Sequence, residues 1–184
     1  MKALPIVGVV AASLACGAAH GAGAHVHGIA TLEVVIERNA LTLEFTSPLE
    51  NLVGFEHAPR SDKQKAAVRR MAEQLRQAEQ LFVPSAEAKC TRSSVKLESP
   101  VIDPALLRDG GDASAPAFAK GHRDAHASLT AEIAFRCAHP EHLTVLEVKA
   151  FEVFSGLKRV DAQVAGAKKQ VAATLTARAR RITW

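Results

Sequence analysis

The sequence predicts an α+β fold of two pseudo-symmetric β-rich halves, one carrying a long helix, joined by a mobile linker. Three observations predict it. A weak internal repeat gives the halves: the run from His27 to Ile36 reappears over residues 126–135, with His126, Thr130 and Glu132 in the places of His27, Thr31 and Glu33. Residues 41–54 then reappear over 143–156. A capped amphipathic segment after residue 60 gives the helix, and a stretch rich in Pro, Gly and small residues gives the linker.

Residues 1–24 read as a secretory signal. Met1 and Lys2 make a basic start, residues 4–15 are apolar but too few for a membrane span, and Ala22-Gly23-Ala24 fits a cleavage site. Cys16 and His20 leave with it, so the mature chain begins at His25 and the expected compartment is the periplasm. The first half, residues 25–98, is expected as β-β-α-β. Leu32, Val34 and Ile36 alternate with polar or smaller residues, Asn39-Ala40 turns the chain, and Leu41, Leu43 and Phe45 alternate again. This is a hairpin with one buried face. Pro48 ends it, and residues 51–60 are expected as a loop.

Ser61 with Gln64 forms a capping box, in which each side chain satisfies a free backbone donor at the helix start. Val68, Met71, Leu75, Ala78 and Phe82 follow at helical spacing, with Pro84 past the end. A strand over 90–97 completes the half. The linker, residues 99–121, offers little to bury and is expected to be mobile. In the second half, residues 122–184, strands are expected over 129–137, 143–154, 160–164 and 170–175, with Ile182 and Trp184 pairing at the end. It has no long helix.

Removing the signal leaves Cys90 and Cys137, an even number in an exported chain, so one disulfide is expected. Thiol catalysis or thiolate ligation is the alternative. The net charge of +4 is spread among acids, there is no Tyr and one Trp, and basic and aromatic residues do not alternate. No nucleic-acid partner is expected. A homo-oligomer is compatible with the sequence.

The histidines carry the chemistry. His25 and His27 share one side of an extended chain, because strand side chains alternate. His122 and His126 would share a face of a helical turn, with Asp124 between them. Both pairs precede the first strand of a repeat copy, where they could converge on Zn²⁺ or Cu²⁺, ions that favour imidazole nitrogen. His57 lies in the Gly54-Phe55-Glu56-His57-Ala58-Pro59 loop. It could complete a His-only or His/carboxylate site, or simply hydrogen-bond a nearby carbonyl. His139 and His142 bracket Pro140 in a turn and read as surface residues. No H-E-x-x-H, G-x-S-x-G, Walker or G-x-G-x-x-G motif occurs.

His25-Val26-His27-Gly28, the run Asn51-Leu52-Val53-Gly54-Phe55-Glu56-His57-Ala58-Pro59-Arg60, and the strand with Ala131-Glu132 and Phe135-Arg136-Cys137 resemble the ZrgA-type periplasmic zinc-binding proteins. These are soluble components associated with bacterial zinc uptake, and the resemblance covers nearly all of the mature chain. It implies a non-catalytic Zn(II)-binding protein that captures zinc or hands it to a membrane importer. It also implies that His27, His57 and His126 match family positions as metal candidates, while His25 and His122 match the family's variable histidine-rich flanks. Those tracts are much shortened here. The alternative is an envelope structural or interaction module whose histidines are incidental. A metal hydrolase would need a base that the sequence does not supply.

Overall fold

The first hairpin forms where the alternation placed it. In the computed structural model, which describes residues 27–108, 127–166 and 169–184, β1 (Ile29–Glu37) and β2 (Ala40–Pro48) pair antiparallel. Ala30, Leu32, Val34, Leu41, Leu43 and Phe45 are buried on one face, with Thr and Glu side chains on the other. Burying each of the larger side chains contributes about 1.5–3 kcal/mol. The signal segment 1–24, His25, His122, His126 and residues 109–121 lie outside the described residues.

Among the described residues, seven further strands and four helices follow this hairpin. After α1 (Leu49–Val53) come α2 (Asp62–Arg76), α3 (Ala78–Leu81), β3 (Phe82–Pro84) and β4 (Cys90–Glu98). Then follow β5 (Ser128–Cys137), β6 (Val145–Val148), α4 (Ala150–Val153), β7 (Arg159–Gly166), β8 (Gln170–Leu175) and β9 (Arg181–Thr183). One sheet has six strands in the order β4-β5-β2-β1-β7-β8, and the other has three in the order β3-β6-β9. Phe45 from the large sheet meets Phe82 from the small one with ring centroids 5.5 Å apart, so the core lies between the sheets.

Several expectations change. Residues 49–53 form a helical turn inside what reads as strand end and loop. The long helix carries its capping box, worth about 1 kcal/mol, and buries Val68, Met71, Ala72 and Leu75. It breaks at Gln77, whose ψ of 45° is not helical, and Phe82 leaves the helical pattern to pair with Val148. The expected strand over 143–154 is split, because the chain turns through α4 after Val148.

The expected pair of pseudo-symmetric halves does not appear in the strand order. β5, from the second repeat copy, inserts between β2 and β4 of the first, and β6 sits in the other sheet. What the repeat does encode is register. β1 and β5 both run antiparallel to β2, and Thr31 and Thr130, equivalent in the repeat, both face Thr46. The two copies therefore start at the same end of one sheet.

The first part of the expected linker is packed. Ile102 and Leu107 are buried, the Asp103 side chain accepts from the Ala105 N–H, and Arg76 of α2 donates to the Leu107 carbonyl. Among the described residues, no helix is long and apolar enough to cross a membrane.

Candidate metal centre

Four segments meet at one end of the large sheet. β1 begins there, and β7 begins beside it because the two strands are parallel, with Ile29 opposite Arg159. β2 ends there and passes directly into α1. β5 begins there as well, and the Ala127 carbonyl accepts the Leu49 N–H at 2.9 Å.

Asn51, buried in α1, clamps these segments together. Its Oδ1 accepts the Gly28 N–H at 2.7 Å, and its Nδ2 donates to the Ile29 carbonyl at 3.0 Å and to Ser47 Oγ at 3.1 Å. Gly28 has φ +82°, a left-handed backbone that suits glycine. Its carbonyl takes the Lys158 and Arg159 N–H groups at 2.8 and 2.9 Å. With both neighbours of the Gly28 peptide fixed, His27 is held over α1.

There His27 meets two carboxylates. Nδ1 lies 2.6 Å from Glu50 Oε2, and Nε2 lies 3.2 Å from Glu56 Oε1. One donor atom from each of the three residues falls within 4.8 Å of the others. Glu50 sits in the first turn of α1, and Glu56 follows Gly54, whose left-handed backbone ends that helix. The turn at Gly54 thus folds the second carboxylate back toward the first.

The close approach of Nδ1 to Glu50 is an ion-pair distance, but it lies off the direction of a hydrogen bond. Glu50 Oε2 is shielded from solvent and has no hydrogen-bond partner among the described residues. A carboxylate oxygen hidden from water without a donor is costly unless a cation compensates it. On the other side, 3.2 Å is close to the separation of two ligands on one tetrahedral zinc, roughly 3.3 Å for bonds of about 2.0–2.1 Å. Glu50 can serve as the third ligand or can orient the imidazole and raise its basicity from behind. Either role fits a divalent cation, and the His27 side chain is 64% exposed at the mouth of a cleft of about 690 Å³, which gives an ion access.

Residues 24–184 match the sequence profile described as ZrgA family zinc uptake protein. The chain belongs to the ZrgA family. No curated protein matches it. Zinc is thus the ion that the family associates with this chain, and the His/Glu cluster offers donors that suit it.

The other candidates of this ZrgA-family chain are placed as follows. His57 hydrogen-bonds the Ala58 carbonyl through Nδ1 at 2.9 Å and stacks on Phe55 at 5.1 Å, outside the three-residue cluster. Because a carbonyl only accepts, Nδ1 is the donor in this bond. Cys90 and Cys137 face each other across β4 and β5 and form the disulfide. Glu50 and Glu56 were not singled out by sequence reasoning. The available signal was their position at the edge of and inside the Asn51–Arg60 run, but choosing them requires knowing that Gly54 reverses the chain.

Proposed function

We propose that the protein binds Zn²⁺ in the periplasm without catalysis and serves zinc acquisition by capturing the ion or passing it to a membrane importer. The observation that carries this reading is the grouping of His27, Glu50 and Glu56, with one ligand atom from each within 4.8 Å of the others. Three protein ligands leave a coordination position for a further donor or water. An open cleft suits an ion that must leave again.

His126 is the leading fourth donor, with His57, His25 and His122 as the others. It precedes Thr130 as His27 precedes Thr31, and those two threonines flank Thr46, whose Oγ1 lies 3.1 Å from that of Thr130.

The test is metal analysis of untagged protein isolated from the periplasm. Stoichiometric zinc is the expected result. Metal-free protein that also fails to take up zinc would instead favour an envelope module with incidental histidines.

A further inference from the structure

We infer that the turn His139-Pro140-Glu141-His142 is a second divalent transition-metal site, separate from the His27 cluster and weaker than it. Its ligands are two imidazoles and one carboxylate, a set for Zn²⁺ or Cu²⁺. These residues read from sequence as surface decoration, and the side chains are indeed 45%, 62% and 58% exposed in chain order.

The turn's geometry goes further than exposure. Pro140–His142 is a 3₁₀ turn with His139 as its cap, and the His142 N–H donates to the His139 carbonyl at 3.0 Å, which brings the two histidines together. Glu141 Oε1 lies between them, 3.5 Å from His139 Nδ1 and 3.8 Å from His142 Nε2. Both separations are near the roughly 3.3 Å expected between ligands on a tetrahedral zinc. The imidazole centroids, 6.1 Å apart, must swing inward to close on an ion, which exposed side chains can do.

The backbone beneath is fixed. Directly after the disulfide, Ala138 and His139 donate to the carbonyls of Lys89 and Ala88 at 3.3 and 3.0 Å. The His142 and Leu143 N–H groups close the turn onto His139 and Pro140, and Leu143 is buried. Only side chains need to be ordered, but ordering three exposed ones costs entropy, and water must fill the remaining coordination. That makes the site weak and rapidly exchanging.

The experiment is equilibrium zinc titration of untagged full-length protein beside His27→Ala and the double variant His139→Ala/His142→Ala, with Cu²⁺ as a second probe. The double variant should keep the tight equivalent and lose one weak equivalent, whereas His27→Ala should lose the tight one and keep the weak one. A double variant with the same number of weak equivalents as the parent would overturn the inference. So would a double variant, folded by circular dichroism, whose tight site is also weakened. Failure of the His27 cluster alone would show in the single variant and leave this inference standing.

Discussion

Gly156 fixes how closely α1 can lie against the start of β7. A Cβ there would stand 2.6 Å from the Asn51 carbonyl oxygen and 2.8 Å from Asn51 Cα, against backbone that cannot rotate away. Gly156→Ala should therefore push out the turn that bears Glu50 and Asn51. We expect a loss of about 1–3 kcal/mol in stability together with weaker zinc binding. Denaturant unfolding and zinc titration of the same variant check it, and parental values in both would show that the contact is not tight. Gly54→Ala is a useful contrast, because no atom lies within 4 Å of its Cβ and only its φ of +82° opposes the change. At this scale the sequence was least legible. His27 stood out by its type and its place in the repeat, whereas Glu50, Asn51 and Gly156 matter only through neighbours distant in the chain.

Elements with strong local signals were readable. The alternation in β1, β2 and β5, the capping box of α2 and the short strands β7 and β8 all lie close to where their patterns put them. The one-turn helices α1 and α4 were not readable, since four or five residues cannot display a helical period. The end of the long helix was misplaced for a related reason: Phe82 satisfies the helical spacing, but packing against Phe45 and pairing with Val148 draw it into a strand. The small sheet has its own electrostatic fastening. Glu147 of β6 lies 2.8 Å from Arg180 and 3.1 Å from Arg181. Burial works to raise its pKa, but the hydrogen bond from Arg181 and the charges of Arg181, Arg180 and Lys149 outweigh it and hold the carboxyl below the usual range. A depressed folded-state value adds stability above the unfolded value of about 4.3, and that stability is lost as pH falls through the folded value. Glu147→Gln should lower the urea midpoint near pH 7 and approach the parent below about pH 4. An equal deficit at both pH values would contradict the charge argument.

For the whole molecule, the repeat and the cysteines each said something true about topology, though not the same thing. The repeat suggested two halves, yet the strands of both copies interleave in one sheet, because β5 takes the free edge of β2. Sequence similarity records matching register, and the choice of neighbour is made by long-range pairing that no local pattern reveals. The disulfide joins β4 to β5 across a sequence separation of 47 residues, for which chain entropy gives about 4 kcal/mol. It sits at the end of β5 opposite Ala127, away from the His27 cluster. Cys90→Ser/Cys137→Ser should thus lower the unfolding free energy by an amount of that order and leave zinc affinity unchanged in the folded protein. An unaltered denaturation midpoint would contradict the first expectation, and lost zinc affinity in a folded variant the second.

The central claim is that zinc is held where His27 meets Glu50 and Glu56. The most direct measurement is a competition titration with a chromophoric zinc chelator, comparing the parent with His27→Ala, Glu50→Gln, Glu56→Gln, His126→Ala and His57→Ala, and with His139→Ala as the control. Removing a ligand or the carboxylate that orients it should weaken zinc by about 10- to 100-fold or more. Affinity should also fall as pH drops below about 6.5, where protons compete for imidazole. The account predicts that His27→Ala, Glu50→Gln and Glu56→Gln lose tight binding while remaining folded, and that His139→Ala keeps it. Parental affinity in all three of those cluster variants would contradict it.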